Sequence, residues 1–219
     1  MAKKAIERDD IQKGYQDYLL EHGKTPESVR IFTKFLGIDD EAFFKHFGSL
    51  RTIESSIWED YYLKTLDIIQ KDPDFEEMSS REKHLSFLYT LLEIAKSDRS
   101  YILMKLEGKK PGELPQELKK AQKVITQSDE INWAKTFQFL PEKAKETTQT
   151  AYKRVLAAHT VSMFFFWVKD DSGEGKDTDI FIEKSTRTVF DIGELPALDS
   201  IFDLSKFFIQ KMGFAKASA

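Results

Sequence analysis

The stretch PESVRIFTKFLGIDDEAFFKHFGSLRTI, residues 26–53, decides the fold. Val29, Phe32 and Leu36 recur at helical spacing, and Gly37 stops that helix in the manner of a left-handed cap. Asp39 is placed to cap a short helix carrying Ala42, Phe43 and Phe44. That helix ends near Phe47 and Gly48, and Ser49 caps the next. Two helices joined by a tight turn need a small residue where they touch and a glycine in the turn, and Thr33 and Gly37 have that spacing. Val29, Phe32, Leu36, Ile38 and Phe43 fill the small core between them.

The helical pattern continues in both directions. Ile11, Tyr15, Tyr18 and Leu19 form one stripe over residues 5–22, closed by Gly23. Thr25 followed by Pro26 predicts the start of the second helix. Leu50, Ile53, Ile57 and Tyr61 line a fourth helix reaching about Gln70. Asp72 to Asp74 is a break. Leu85, Leu88, Leu92 and Ala95 mark a fifth helix, and Tyr101 to Leu106 a sixth. A loop with two prolines, Gly108 to Pro115, precedes a helix near 115–127 and another near 130–140. Pro141 opens the longest pattern, to about Lys169. It has two apolar faces: Ala151, Val155, Ala158 and Phe165 on one, and Tyr152, Leu156, Met163 and Phe166 on the other, with His159 among them. Such a helix is buried on both sides, either as a central core helix or with one face against a second subunit. A polar loop over 170–177 and two helices, 178–192 and 197–212, complete an all-α chain. Residues 1–50 read as one domain and 51–219 as a second.

Composition narrows the chemistry. The chain has 219 residues, no cysteine and four histidines, with 33 Lys and Arg against 37 Asp and Glu. Disulfides, thiolate catalysis and Cys-ligated metal are excluded. A net charge of −4 excludes an overall basic nucleic-acid coat but not a local basic patch. The longest apolar run, around 161–168, is far short of a membrane span of about 20 residues, and no export signal opens the chain. The expected location is the cytoplasm. The histidines form no HxxxH or HExxH pattern, so neither a metal nor another cofactor is expected. No catalytic pair or phosphate loop stands out either, and no enzyme is expected.

Residues 28–53 resemble the TetR family of bacterial transcriptional regulators. Ser28-Val29 and Phe32-Thr33 stand where the family has Thr-Val and Ile-Ala. Leu36-Gly37-Ile38-Asp39 takes the place of Ala-Gly-Val-Ser, and Phe43 to Phe47 matches its Leu-Tyr-x-His-Phe block. The resemblance implies an N-terminal helix-turn-helix unit before a larger ligand-binding and dimerising part. It implies a homodimer on double-stranded operator DNA, responsive to a small apolar ligand. Ser28, Arg30, Ala42, Phe44, Lys45 and His46 then fall on the DNA side. Parts of 142–169 and 178–192 fall at the dimer interface. A pocket follows from the aromatic-rich middle of the chain, lined by Tyr62, Tyr89, Tyr101, Trp133, Phe137, Tyr152, His159 and Met163.

The departures from the family fall on the DNA side. Over 39–46 three acids face one base, a net charge of −2, where a recognition helix must approach a polyanion. The acids suit the helix's own positive end. Phe44 lacks the family's phosphate-binding hydroxyl, and Leu50 replaces a lysine. Over 24–53 five cations against four acids leave +1. A second reading stays open: a TetR-like fold that no longer binds DNA and takes a hydrophobic small molecule, a lipid or a partner protein.

Overall fold

The computed structural model describes residues 6–109, 113, 115–127 and 142–193, and among these the regular structure is helical. The first helix, α1 (Arg8–His22), opens on a capping box between Glu7 and Asp10 and closes at Gly23, whose φ of 68° is left-handed. The second, α2 (Val29–Leu36), starts later than Thr25-Pro26 suggests. Ser28 is its cap: extended, with Oγ accepting from the Ile31 N–H at 3.3 Å. Thr25 lies three residues too early to reach that orphan donor, and Pro26 is buried ahead of the helix. Gly37 turns the chain at φ 69°, and Asp39 caps α3 (Asp40–Phe44) by accepting from the Ala42 N–H at 2.7 Å.

Next comes α4 (Leu50–Ile69). Ser49 holds its cap position, but its side chain makes no capping bond; its carbonyl accepts from Thr52 Oγ1 at 2.6 Å instead. A turn segment leads to α5 (Ser80–Lys96), which opens on a Ser79–Glu82 capping box. Then follow α6 (Arg99–Leu106), α7 (Gln116–Gln127), α8 (Glu142–Trp167) and α9 (Lys176–Gly193), with one 3-10 turn at Gly173–Gly175. The helices expected near 130–140 and over 197–212 lie outside the described residues.

The centre of the molecule is α4, which lies against α1, α5 and α7. Ile53, Ile57, Trp58, Tyr61, Tyr62 and Leu66 on it are all buried. The seam to α1 is polar. Arg8 Nη1 and Gln12 Nε2 both donate to Asp60 Oδ2 at 2.5 Å, Gln12 also to Ser56 Oγ at 2.8 Å, and Gln16 Nε2 to Tyr61 OH at 3.0 Å. Gly14 allows the close approach of α2 on the same helix, since a Cβ there would overlap Leu36.

Two adjacent residues at the start of α6 face different partners. Asp98 accepts from Tyr61 OH at 2.7 Å and pairs with Lys13 of α1 at 3.7 Å. Arg99 lies over the Trp167 ring and donates to the Trp167 and Asp170 carbonyls, at 3.5 and 3.2 Å, where α8 ends. The short α6 thus ties α1 to the α8–α9 junction.

The expectation that α8 is covered on two sides holds only in part. On the face of Tyr152, Leu156, His159 and Met163 these four are buried and Phe166 is exposed, whereas on the face of Ala151, Val155 and Ala158 these three are exposed and Phe165 is buried. Helices α7 and α9 cover its other flanks. No described element lies over this one.

At the α8–α9 junction, Asp170 is 7% exposed and caps α9 from a distance. Its Oδ2 accepts from the Thr178 N–H at 2.8 Å and from Thr178 Oγ1 at 2.5 Å; Oδ1 accepts from the Ser172 N–H at 2.8 Å and from Ser172 Oγ at 2.5 Å. Burial disfavours its charge, but these bonds prevail and hold the carboxyl at about 2. Its contribution to stability is therefore present above the ordinary carboxylate range and is lost as pH falls from about 4 towards 2. Asp170→Asn should lower stability at neutral pH by about 1–2 kcal/mol, the range for a lost cap, and flatten that acid limb in denaturant titrations.

Candidate nucleic-acid interface and ligand core

The α2–α3 pair presents the residues expected on a DNA face, and most of their charges are already matched. Arg30 Nη1 meets Asp40 Oδ1 at 3.4 Å, Lys45 meets Glu41 at 3.2 Å, and Lys24 meets Glu27 at 3.1 Å. Thr33, fully buried, donates its hydroxyl to the same Asp40 oxygen at 2.5 Å. The Thr33 bond, ahead of the Arg30 contacts, holds the Asp40 carboxyl below its ordinary range. Lys34 and Arg51 have no carboxylate partner among the described residues.

Of the other expected contacts, Ser28 is occupied as the α2 cap. Ala42 is half-buried, and Phe44 is 56% exposed with its ring edge-on to buried Phe43 at 5.3 Å. His46 is half-buried, with Nε2 at 3.0 Å from the Ile6 carbonyl, so it fastens the N-terminal segment to the end of α3.

The expected pocket residues divide into groups. Tyr101 belongs to an aromatic cluster in which Trp58 meets Tyr101 at 6.2 Å, Phe164 at 5.7 Å and Tyr61 at 5.7 Å. Tyr62, the next turn of α4, meets Phe87 at 5.9 Å. Met163 is fully buried. Tyr152 lies edge-on to Phe190 at 5.7 Å and His84 tilted against it at 5.9 Å, and His84 meets His159. Tyr89 stands apart: it is half-buried at the edge of α5, its hydroxyl 3.4 Å from the Asp179 carbonyl of α9. Trp133 and Phe137 lie outside the described residues.

Three buried donors in this core have no hydrogen-bond partner among the described residues: Trp58 Nε1, Tyr62 OH and Tyr101 OH. Burial raises the Tyr62 and Tyr101 hydroxyls well above the ordinary tyrosine range, so both stay protonated. Beside them lies a buried ion pair, Lys105 of α6 on Glu54 of α4. Glu54, Trp58 and Tyr62 follow one another at every fourth residue of α4, and Tyr101 and Lys105 do so on α6.

A second polar group links α5, α8 and α9. Ser185 Oγ donates to the Phe181 carbonyl at 2.5 Å, so it accepts from His159 Nε2 at 2.7 Å. His159 Nδ1 then accepts from His84 Nε2 at 2.9 Å. Burial, and then the neighbouring ring, push His84 well below the usual imidazole range; burial takes His159 to about 4.

On the outer surface, Val155 and Ile180 are each 48% exposed and Phe166 is 37% exposed, with Phe166 stacked on Phe181 at 4.4 Å. An open groove of about 730 Å³ runs here between the end of α8 and the start of α9, with Phe165, Phe166, Lys169 and Phe181 in its walls.

Among the described residues no group of three or more His, Asp or Glu is placed to hold a metal, and no helix is long and apolar enough to cross a membrane.

An all-helical chain with a helix-turn-helix near its start and long paired helices behind it has the architecture of a solved regulator. The structure of the fatty acid degradation regulator FadR from Bacillus halodurans superposes with a TM-score of 0.55 at 16% identity, covering 84% of this chain and 98% of that one. At that identity the likeness concerns fold alone. Residues 83–208, more than half of the chain, match the tetracyclin repressor-like C-terminal domain. The chain belongs to this family, the TetR-like transcriptional regulators. No curated protein matches it.

Several of these features left a weak trace in the sequence. Glu41 and Lys45 are four apart on a helix, a readable ion-pair spacing. Arg30 and Asp40 meet across the turn, and His84 and His159 are 75 residues apart, so neither pairing had a local signal.

The neutral histidine pair has a measurable consequence. Below pH 6.5 the unfolded chain takes up protons that the folded chain refuses. Stability therefore falls as pH drops from 6.5 towards 4, with His159 contributing on the order of 2–3 kcal/mol. In denaturant unfolding at each pH, His159→Gln should lose that part of the slope.

Proposed function

We propose that the chain is a ligand-responsive transcriptional regulator that acts as a homodimer on operator DNA. Residues 1–50 form the DNA-binding unit and 51–219 the ligand-binding and dimerising part. The observation that carries this reading is the helix-turn-helix at Gly37, with capped α2 and α3, set ahead of a segment that matches a regulator family. Each protomer would place α3 in the major groove of one half-site, with Ser28, Arg30, Ala42, Phe44 and Lys45 towards the duplex and His46 steadying the end of α3.

The exposed apolar stripe of Val155, Phe166 and Ile180 supports dimerisation through α8 and α9, since an apolar surface of this kind is what an interface removes from water. The three unpaired donors on Trp58, Tyr62 and Tyr101 support an apolar ligand that carries hydrogen-bond acceptors. The Bacillus halodurans neighbour is a regulator of fatty acid degradation, which makes acyl compounds the first to try. Tyr152, His159 and Met163 lie in the same helical core, and a ligand there would bias the α4–α6 contacts and so the position of α1.

One observation favours a second reading, in which DNA binding is lost: Arg30 and Lys45 are each held by an acid of α3. A single experiment separates the two. Offered a random pool of double-stranded DNA at low and moderate salt, the protein should retain a palindromic motif. Arg30→Ala and Lys45→Ala should each weaken binding two- to tenfold and shallow the salt slope by about one. Retention of no sequence by the folded protein, with or without an acyl ligand, would establish the second reading.

A further inference from the structure

Each ionic side chain on α3 and at its two ends already has a partner within the chain, although the Arg30–Asp40 and Glu41–Lys45 pairs lie at the surface. Asp39 is spent on the Ala42 N–H, Asp40 on Thr33 and Arg30, and Glu41 and Lys45 on each other. Base reading by charge would first have to break these contacts. What α3 leaves open is apolar. Phe44 is 56% exposed, the most exposed large apolar side chain described, and Ala42 is half-buried beside it on the same short helix. The Phe44 ring is also held in place: its edge-on contact with Phe43 spans 5.3 Å at 85°, and Phe43 is itself fully buried between α2 and α3. A large, oriented, solvent-facing ring on a recognition helix has one complementary feature in the major groove, the thymine 5-methyl group. Phosphate contact falls to Arg30 and Lys45, whose exposed surface pairs are worth little, and to Lys34 and Arg51, which have no carboxylate partner among the described residues.

We infer that α3 reads its half-site through thymine methyl contacts made by Phe44, with Ala42 next to it, and not through charged hydrogen bonding to base edges. The inference rests on the regulator reading and specifies the chemistry of its operator: thymine where the Phe44 ring lies. The paired acids then serve specificity, because they deny α3 any general attraction to the polyanion and leave shape and methyl contact to discriminate.

The test uses the full-length protein and the motif recovered from the random DNA pool. Each thymine of a half-site is replaced singly by deoxyuridine, which removes the methyl group and keeps the pairing. At one or two positions wild-type affinity should fall about fourfold, the worth of one methyl group kept from water. Phe44→Ala should bind thymine and deoxyuridine duplexes equally at those positions while keeping the wild-type penalty elsewhere, the signature of a direct pair in a double-mutant cycle. Phe44→Leu, which keeps an apolar side chain of similar reach, should retain a penalty of about twofold. Because Phe44 is largely exposed, these variants should unfold at the wild-type denaturant midpoint. A recovered motif whose thymines are all replaced without loss, or a penalty that persists undiminished in Phe44→Ala, overturns the inference and leaves the regulator reading standing. Recovery of no motif overturns both.

Discussion

Trp58 has no solvent-exposed surface because α6 and α8 close over it. It sits midway along α4, with its ring against Tyr101 of α6 and Phe164 of α8. Burying one indole this way fixes the separation of α4, α6 and α8. Truncating it would cost about 3–5 kcal/mol by ordinary core energetics, a large share of a domain's stability. Helices α1, α5 and α7 all lie against α4. Its outer face holds α1 through a line of polar contacts, from Arg8 to Gln16. Its inner face carries Glu54, Trp58 and Tyr62 into the core.

That arrangement adds to the apolar face of α1, with Ile11 and Leu19 buried, a line of polar contacts that is geometrically exacting. Asp60 accepts two donors from α1, and Tyr61 passes a hydrogen bond from Gln16 to Asp98. Apolar surfaces slide against each other at small cost, whereas these bonds have one good register. Arg99, next to Asp98, grips the carbonyls at the end of α8. A shift at the α8–α9 junction therefore reaches α1 through two neighbouring residues of α6.

The parts of the fold written in local chemistry were legible in the sequence. Gly23 and Gly37 end their helices in left-handed conformation, Asp39 caps α3, and the apolar periods of α1, α4 and α5 predict their buried faces. At the second helix Thr25-Pro26 and Ser28 offer two caps, and only the bond to Ile31 distinguishes them. The two apolar faces of α8 were visible as a pattern. Which of them the chain itself covers depends on where α7 and α9 lie. The candidate site was less legible. Aromatic content points to pocket residues, yet Tyr89 projects elsewhere and the polar partners that matter, His84, Ser185 and Lys105, come from distant helices. On α3 the acids were apparent, but their neutralisation of Arg30 across the turn was not.

The dimer is the claim on which the functional account depends, since two α3 helices reach two half-sites only if α8 and α9 hold the protomers together. Sedimentation equilibrium of the full-length chain tests it most directly. A mass of two chains is expected at micromolar concentration, and a folded monomer when Val155 and Ile180 are both changed to Asp. A monomeric wild-type chain, or a dimer indifferent to those two substitutions, would contradict it.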